Sequence, residues 1–431
     1  MCASRLSADL RHTYQGPDAC NKGFLVMNHD WFEQYVFQVV APRKYVPRNL
    51  LNIYDHSPVT ALPPWDVLEK DAPFVWQDVT LGEPEANEVV VKVVACGICH
   101  TDLAVQNGSF PSPFPNITGH EGSGKVVKVG SAVTRVKEGD SILLSFNNCT
   151  ECGPCKTNYP AACEQFGAVN FGRIRNGNVG NKAGVKGAKG EEIYGSFFGQ
   201  SSFANHCVAN EQSVVKVPDG TDLVTLAPIG CGLMTGAGAI FNFLKPEKDS
   251  SIAIFGLGAV GIAALFACKY LGVRQIVVVD VNPAKLEFAK QFGATHTFNA
   301  KDPDVVQQIK ATTPYNAGTK YGVECSGVIP ALKACWEATA NRGHVVSVGT
   351  PGPGNPPPFG IFENLLASKT YTGLTEGGSD PPEFLPFLIK LYNEGHFPVD
   401  KISKTFPASQ IKEAIHAMHS GETVKPILVF E

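Results

Sequence analysis

From about Val59, apolar and polar residues alternate in short runs that are separated by glycine and proline. Two examples are EVVVKVVACG at residues 88–97 and GSGKVVKVGSAVTRVKEGDSILLSF at residues 122–146. A period of two, with turn residues between the runs, is typical of short β-strands. This part of the chain therefore predicts a compact, mostly β domain.

The pattern changes after Pro228. Nearly continuous apolar runs at residues 251–255, 275–280 and 344–349 alternate with helical stretches such as NPAKLEFAKQFG. Strands that are apolar on both faces and are separated by helices predict a parallel sheet with helices on both sides. The predicted fold class is therefore α/β. The tail from about Thr375 ends in the strand-like run PILVF, which we expect to rejoin the first domain.

Three segments need their own interpretation. Residues 1–58 are aromatic and polar with mixed charge and no clear period, and we treat them as an N-terminal extension of unknown role. Residues 166–200 are rich in glycine and asparagine and predict a long surface loop. Residues 252–268 are uncharged and approach the length of a membrane span, but glycines at 256, 258 and 261 favour a turn instead.

Composition narrows the possible partners. The 431 residues are 44% hydrophobic and 18% charged, with a net charge of -4 that forms no basic patch for nucleic acid or a membrane surface. The 13 cysteines are odd in number, and the N-terminus lacks the apolar core of a signal peptide. We therefore expect a cytosolic protein, in a reducing compartment, whose thiolates bind metal rather than form disulfides.

The stretch CTECGPCKTNYPAAC places Cys149, Cys152, Cys155 and Cys163 at spacings of three, three and eight. Short Cys-x-x-Cys steps allow thiolates to converge on one tetrahedral zinc ion. Four protein ligands leave no open position, so this zinc is predicted to be structural. A redox Cys-x-x-Cys pair and an iron–sulfur cluster are the alternatives that the spacing leaves open.

A catalytic zinc ion needs three protein ligands and an open fourth position. The motifs CGICHTD, GHE and IGCGLMTG offer Cys96, Cys99, His120 and Cys231 as candidates. The outermost of these lie more than a hundred residues apart, so spacing alone does not define a site.

The stretch GLGAVG at residues 256–261 follows an apolar strand and opens an apolar helix, and Asp280 ends the next strand. This context predicts a dinucleotide site. Gly256 would form the tight turn, Gly258 would admit the pyrophosphate, and Gly261 would permit close helix packing. Asp280 would accept hydrogen bonds from the ribose hydroxyls, which favours NAD over NADP.

These motifs, in this order, resemble the zinc-dependent medium-chain alcohol dehydrogenases, and within them the aryl and allylic (benzyl-type) branch. The resemblance runs from about residue 60 to the C-terminus. It implies a GroES-like catalytic domain at residues 59–232 and 375–431 that is interrupted by a Rossmann NAD-binding domain at residues 233–374. It also implies a homodimer or homotetramer and an NAD-dependent enzyme with one catalytic and one structural zinc ion per chain.

The resemblance assigns roles position by position. Cys99, His120 and Cys231 would be the catalytic zinc ligands, with Cys96 left as a core residue. Three residues beside them complete the catalytic set: Thr101 would take the substrate proton, Asp102 would orient His120, and Glu121 would be a transient zinc ligand. Ala104 departs from the family pattern, since many relatives continue the proton relay with a histidine there.

The same resemblance implies the cofactor and substrate contacts. His100 would reach the pyrophosphate, Lys425 would replace a pyrophosphate-binding arginine, and Lys285 would lie near the adenosine ribose. The other implied cofactor-binding residues are Gly256, Leu257, Gly258, Gly261, Asp280 and Val348. The implied substrate pocket consists of Phe110, Ser145, Phe197 and Phe198.

The implied function is hydride transfer between NAD(H) and a primary aryl or allylic alcohol and its aldehyde, because aromatic walls favour a flat substrate. Aldehyde or lactol reduction in a biosynthetic pathway, as in fungal secondary metabolism, and glutathione-adduct oxidation are alternatives within the same chemistry. A zinc-free quinone or enoyl reductase would lack the cysteine motif. A non-catalytic zinc- and NAD(H)-binding redox sensor would be expected to lack a ligand or Thr101.

Overall fold

The structure, a computed structural model, describes residues 65–172 and 184–430, and the backbone of two short strands between them. The predicted extension at residues 1–58 lies outside the described residues. The strands are β1 (Trp65–Val67), β2 (Val75–Trp76), β3 (Val79–Leu81), β4 (Glu88–Gly97), β5 (Asn116–Ile117), β6 (Gly122–Val129), β7 (Ser141–Leu144), β8 (Ile174–Arg175), β9 (Asn178–Val179), β10 (Val185–Gly187), β11 (Glu192–Ile193), β12 (His206–Asn210), β13 (Val214–Lys216), β14 (Ser251–Phe255), β15 (Gln275–Asp280), β16 (His296–Asn299), β17 (Thr319–Glu324), β18 (Thr339–Ser347), β19 (Thr370–Gly373), β20 (Ser403–Pro407) and β21 (Lys425–Val429).

Helices connect most of the later strands. The α-helices are α1 (His100–Gln106), α2 (Gly153–Lys156), α3 (Phe166–Phe171), α4 (Leu223–Leu226), α5 (Gly232–Gly238), α6 (Ala259–Leu271), α7 (Pro283–Gln291), α8 (Val305–Ala311), α9 (Ile329–Ala338), α10 (Ile361–Ala367), α11 (Pro381–Asn393) and α12 (Ile411–Ser420). A π-helical turn, Ala239–Leu244, extends α5. Short 3-10 turns occur at Pro160–Ala162, Phe197–Gly199, Glu211–Ser213, Ala227–Gly230, Pro314–Asn316, Glu376–Gly378, Val399–Lys401 and Ala408–Gln410.

The first lobe is built on a seven-stranded sheet with the order β13-β7-β6-β4-β21-β20, to which β12 adds by pairing with β4. Most of its pairs are antiparallel. The last strand, β21, returns to this sheet and pairs antiparallel with β4, with Leu428 opposite Cys96. The C-terminal run PILVF therefore lies beside the strand that leads into the motif GICHTD.

The second lobe is a six-stranded parallel sheet with the order β16-β15-β14-β17-β18-β19. Alternate residues of β14 pack into different hydrophobic clusters: Ile252 and Ile254 face one side, and Ala253 and Phe255 face the other. Burial of both faces explains why these strands are continuous apolar runs. The strand order reverses between β14 and β17, which is the place where α/β sheets bind ligands. The α/β prediction is confirmed.

The prediction of a surface loop at residues 166–200 is wrong over much of its described length. Phe166–Phe171 forms α3, and the side chains of Phe197 and Phe198 are 0% and 3% exposed. The phenylalanines pack into the core of the first lobe, and their burial outweighs the turn-forming tendency of the surrounding glycines. Composition averaged over the segment concealed these aromatic side chains.

The apolar run at residues 252–268 is divided between β14, a glycine turn and α6. Among the described residues, no single helix is both long and apolar enough to cross a membrane. The bent pair Leu223–Gly230 and Gly232–Leu244, with an angle of 59°, meets the requirements of length and composition only when its two parts are taken together.

Candidate active site

One buried carboxylate organises the segments that carry Cys99 and His120. Cys99 is the N-cap residue of α1, and Asp102 lies in the first turn of that helix. Asp102 Oδ2 accepts a hydrogen bond from the Cys99 backbone N–H at 3.0 Å. Its Oδ1 accepts the Gly119 N–H at 2.9 Å and lies 2.9 Å from His120 Nδ1. The carboxylate therefore fixes the backbone of one candidate ligand and the ring of another.

The structure brings together the three residues that resemblance assigned to catalytic zinc. One ligand atom each from Cys99, His120 and Cys231 lies within 4.8 Å of the others, although the chain segments are distant in sequence. Cys96 is fully buried and lies outside this group, and its thiol donates to Gly97 O instead. Thr101 Oγ1 lies 3.7 Å from the Cys99 sulfur, so its hydroxyl borders the same centre.

A metal ion fits this group of atoms. His120 Nε2 is buried and has no hydrogen-bond partner, and leaving such an atom unpaired costs about 1–3 kcal/mol. A zinc ion that is bound through Nε2 would remove this cost. Two thiolates and a neutral imidazole are a ligand set that zinc prefers, and three ligands leave a fourth position for substrate. The Nδ1 contact with Asp102 would fix the histidine tautomer.

The surroundings of Cys99 and Cys231 shift the pKa values of both thiols. A hydrogen bond from Cys231 holds the pKa of Cys99 well below its usual value, against the effect of burial, and His120 acts in the same direction. The same hydrogen bond, together with burial, raises the pKa of Cys231. Zinc binds thiolates, so its binding releases thiol protons, and zinc affinity is expected to fall at low pH.

Glu121 forms a buried ion pair with Lys425 behind the metal ligands. Lys425 Nζ lies 2.9 and 2.8 Å from the two Glu121 oxygens and donates to Ile98 O at 3.0 Å. Burial raises the pKa of Glu121, and Lys425 opposes that rise. Lys425 is 2% exposed, and its three N–H groups already have acceptors. Its contact with a pyrophosphate stays a prediction.

Glu376 is a site residue that the sequence analysis missed. Its Oε1 lies 3.8 Å from the Cys231 sulfur, and its Oε2 accepts a hydrogen bond from Thr235 Oγ1 at 3.2 Å. Burial raises the pKa of Glu376 to about 7. The side chain lies on a 3-10 turn, Glu376–Gly378, that packs against α5. The only sequence signal was an acid followed by two glycines, which is too common to single it out.

Aromatic rings surround the histidine ligand. The Phe198 ring stacks on His120 with a centroid distance of 4.4 Å and an angle of 17°, and the Phe197 ring meets it edge-on at 5.4 Å. Phe110 packs at 4.4 Å against Phe171, a residue that was not predicted. Phe171 in turn lies 5.0 Å from Phe198. The predicted phenylalanines therefore belong to one cluster.

The fourth predicted pocket residue, Ser145, is fully buried. Its hydroxyl donates to Gly230 O at 2.7 Å, immediately before the Cys231 segment. Gln200, another residue that the sequence analysis missed, donates to both His120 O and Ser145 O. These two polar side chains hold the ligand-bearing segments together.

The four cysteines of the predicted structural site converge. Their sulfur atoms lie within 4.8 Å of one another, with distances of 3.4 Å for Cys152–Cys155, 3.9 Å for Cys149–Cys155 and 4.0 Å for Cys152–Cys163. Sulfurs bound tetrahedrally at about 2.3 Å would lie about 3.8 Å apart. Backbone N–H groups stabilise thiolate character and lower the pKa of Cys152 to about 7. This cluster of four cysteines therefore fits a zinc ion.

The glycine turn after β14 fits a dinucleotide. Gly256 has a φ of +90°, which favours glycine. A Cβ at Gly261 would lie 1.8 Å from Gly256 O, so any larger residue would prevent the close approach of α6 to the turn. A Cβ at Gly258 would meet nothing within 4 Å, which leaves open space in front of the α6 N-terminus. That space can admit a phosphate. Asp280 Oδ2 accepts the Leu257 N–H at 2.6 Å.

The remaining predicted cofactor residues come from three separate elements. Val348 follows β18, and its N–H donates to Glu324 O at 2.9 Å, at the carboxyl edge of the sheet. Lys285 is half-buried on the first turns of α7, and His100 is exposed at the start of α1. Their roles toward a cofactor stay predictions.

Similar proteins decide the family. The sequence model for zinc-binding dehydrogenases matches residues 259–390, and that for the alcohol dehydrogenase GroES-like domain matches residues 85–219. Geraniol dehydrogenase of Castellaniella defragrans is 39% identical over 83% of this chain and 95% of its own length. The chain belongs to the zinc-dependent alcohol dehydrogenases. This dehydrogenase therefore combines a GroES-like lobe with a Rossmann lobe, as predicted.

Two further relatives agree with the assignment of this dehydrogenase. Alcohol dehydrogenase class-3 of Drosophila melanogaster is 34% identical over 84% of this chain and 96% of its own length. The crystal structure of benzyl alcohol dehydrogenase from Acinetobacter calcoaceticus is 37% identical, with a TM-score of 0.81 over 86% of this chain and 100% of that one. Zinc and a nicotinamide dinucleotide are the cofactors of this dehydrogenase, whose reaction interconverts alcohols and aldehydes.

A separate match covers the N-terminal segment. The sequence model of a peptidase C1-like family matches residues 13–69 of this dehydrogenase. Nearly all of that stretch lies outside the described residues. The match covers a small part of the chain and leaves the family assignment unchanged.

Replacing one catalytic ligand tests the metal centre of this dehydrogenase. We expect Cys231→Ser to lower the zinc content by about one ion per chain and to abolish turnover, because two ligands hold zinc far less tightly than three. Cys155→Ser should instead lower the unfolding temperature first. Cys207→Ser, which replaces a buried thiol outside both groups, is the control and should keep its zinc. Unchanged turnover of Cys231→Ser, with metal measured by emission spectroscopy, would contradict the ligand set.

Two alanine substitutions separate the packing and binding roles of the glycine turn. Gly261→Ala should lower the free energy of unfolding by about 1–3 kcal/mol, because the Cβ overlaps a backbone oxygen. Gly258→Ala should fold normally, but it should weaken NADH binding about tenfold or more, equivalent to about 1.4 kcal/mol or more. Denaturant unfolding and NADH fluorescence check both results. NADH affinity in Gly258→Ala equal to that of the unsubstituted dehydrogenase would show that no phosphate approaches this glycine.

Proposed function

We propose that this dehydrogenase oxidises primary aryl or allylic alcohols with NAD and reduces the corresponding aldehydes. The supporting observation is the cluster of phenylalanine rings beside the metal centre, in which Phe198 stacks on His120 at 4.4 Å and the half-buried Phe110 joins the cluster through Phe171. Aromatic walls bind planar conjugated substrates better than short aliphatic ones. Two relatives have names of the same kind, a geraniol dehydrogenase and a benzyl alcohol dehydrogenase.

The chemistry divides between the cofactors and the chain. Cys99, His120 and Cys231 would hold a zinc ion that would polarise the alcohol oxygen, and NAD would supply the hydride acceptor. Thr101 is the residue that takes the alcohol proton, because its hydroxyl lies beside Cys99 at the rim of the centre. Ala104 offers no donor or acceptor on its side chain, so the proton passes from Thr101 to water. Asp102 keeps the His120 ring in place while the charge changes.

The remaining site residues take the roles that the family pattern gives them. Asp280 favours NAD, because its carboxylate would repel the additional phosphate of NADP. Its Oδ2 is already fixed by the Leu257 N–H, so the carboxylate presents a preset orientation. Glu121, in its ion pair with Lys425, is held near the centre as a carboxylate that could exchange as a ligand.

The domain limits and the compartment belong to the same proposal. We infer a catalytic domain at residues 59–232 and 375–431 and a coenzyme domain at residues 233–374, and the pairing of β21 with β4 supports the discontinuous first domain. The cysteines of the described residues are free thiols, which supports a cytosolic location. The chain retains all three zinc ligands and Thr101, so a non-catalytic redox sensor is a less consistent interpretation.

We also infer a homodimer or homotetramer whose two-fold contact involves α10 and β19. The helix exposes Ile361, Phe362, Leu365 and Leu366 at 90%, 68%, 68% and 65%. The strand β19 ends its sheet, and within the described residues nothing pairs with its outer edge. A large apolar patch beside an open strand edge is typical of an interface. A second copy related by a two-fold axis would pair β19 antiparallel with itself.

A substrate panel tests the reaction. We expect the kcat/KM for cinnamyl or benzyl alcohol to exceed that for ethanol by about 10- to 100-fold, which corresponds to burial of one aromatic ring. Phe110→Leu should lower the aryl values and leave ethanol nearly unchanged, whereas Phe288→Leu, remote from the centre, should alter neither. NADH absorbance measures each rate. Faster turnover of ethanol than of the aryl alcohols would refute the substrate class.

Light scattering after size exclusion tests the oligomer. We expect the unsubstituted protein to have the mass of a dimer or tetramer, and Leu365→Glu to reduce it, because a charge would be buried at the contact. Tyr315→Glu, at a fully exposed position outside α10, is the control and should keep the larger mass. A monomeric unsubstituted protein, or a Leu365→Glu variant of unchanged mass, would contradict the proposed contact.

A further inference from the structure

The C-terminal turn of α12 lies against the start of α1. His419 is in the last turn of α12, and its ring centroid lies 6.3 Å from that of His100, with an angle of 37° between the ring planes. Both side chains are exposed. Two imidazoles from distant parts of the sequence therefore face the same region of solvent, next to Cys99.

The same turn reaches the coenzyme lobe. Gly421, the C-cap of α12, has a φ of +79°, and a Cβ at this glycine would lie 2.8 Å from Asn282 Nδ2 and 3.9 Å from Lys285 Cε. Asn282 follows Asp280 by two residues, and its N–H donates to Asp280 Oδ1 at 2.8 Å. The end of α12 therefore bridges the gap between the catalytic centre and the predicted ribose-binding carboxylate.

Basic side chains are concentrated at this bridge. The rings of His100 and His419 lie 6.3 Å apart, Lys285 lies beside Gly421, and Lys425 donates to Ile98 O just before α1. Lys425 is already neutralised by Glu121. The other three groups belong to α1, α12 and α7, so the fold assembles them from separate elements. Such an arrangement of N–H donors and basic side chains favours an anion that lies between them.

We propose that His419 is a cofactor-binding residue that donates a ring N–H to the diphosphate of the dinucleotide, together with His100. The inference rests on the proposed function and on the expected contacts of the pyrophosphate with His100 and Gly258. An imidazole offers an N–H donor in either protonation state, and a hydrogen bond to a charged phosphate is stronger than one between neutral groups. The catalytic lobe thereby supplies a second contact to a ligand held mainly by the coenzyme lobe.

A simpler role for His419 is also testable. A basic residue in the last turn of a helix stabilises that helix through its interaction with the dipole. Such a role would change the unfolding temperature and leave ligand affinity unaltered. The two roles therefore differ in what a substitution changes, and His416 provides a matched comparison, since it is an exposed histidine one turn earlier on the same helix.

The experiment measures how ADP-ribose and adenosine displace NADH from the full-length, zinc-loaded protein, followed by NADH fluorescence. His419→Ala is expected to weaken ADP-ribose binding by about fivefold, as loss of one exposed hydrogen bond to a charged group would. Adenosine, which has no phosphate, should bind this variant as it binds the unsubstituted protein. His416→Ala should leave both affinities unchanged, and His419→Arg, which keeps a donor, should restore ADP-ribose binding.

Equal ADP-ribose affinity in His419→Ala and the unsubstituted protein would overturn the proposal. So would a loss that is the same for adenosine and ADP-ribose, because the contact would then not involve the diphosphate. Failure of the unsubstituted protein to bind NADH would have a different meaning, since it would overturn the proposed function itself. A change in unfolding temperature without any change in affinity would assign His419 to the helix dipole and reject the cofactor contact.

Discussion

The hydrogen bonds of the Asp102 carboxylate are the constraint on which the metal centre depends. This fully buried side chain accepts the N–H groups of Cys99 and Gly119 and contacts the ring of His120. It therefore joins two segments that are separated by about one helix and one strand of sequence. Backbone hydrogen bonds such as that from Gly97 N–H to Glu121 O hold the same two segments, and Asp102 adds the contact that orients the His120 ring. A buried carboxylate with three partners is stable, while the loss of its partners would leave a charge unpaired.

The third ligand connects the metal centre with the coenzyme lobe. Cys231 precedes α5, and a Cβ at Gly236 of this helix would lie 1.9 Å from Val260 O, so that α5 and α6 are in backbone contact. Because α6 begins at the glycine turn, the distance between the ligand and the phosphate-binding residues is set by two helices rather than by a loop. Glu376 adds to this connection through Thr235. The reacting groups are therefore positioned by the packing of the two lobes.

Most of the zinc and dinucleotide ligands could be predicted because they lie in short sequence motifs. The sequence motifs GICHTD, GHE and GLGAVG contain the residue types that zinc and a dinucleotide require, and the apolar runs of the second lobe reflect burial on both faces of a sheet. The convergence of Cys231 with the other ligands could not be derived from spacing. It depends on how α5 packs in three dimensions, and only the family resemblance anticipated it.

The missed features are contacts between segments that carry no local signal. Glu376 and Gln200 contact site residues that lie more than fifty residues away in sequence, and neither stands in a distinctive motif. The buried phenylalanines near residue 198 were hidden by the glycines around them. Lys425 was assigned to a phosphate from its position in the family pattern, whereas its ion pair with Glu121 depends on the return of β21 to the first sheet.

The most direct test of the metal centre is an anomalous difference map collected at the zinc edge from crystals of the full-length protein. The account predicts two strong peaks per chain, one among the four cysteine sulfurs of residues 149–163 and one bounded by Cys99, His120 and Cys231. At the second peak, His120 Nε2 should be a ligand, while Nδ1 remains beside Asp102. A peak at the four cysteines alone, or a second peak away from these three side chains, would contradict the account.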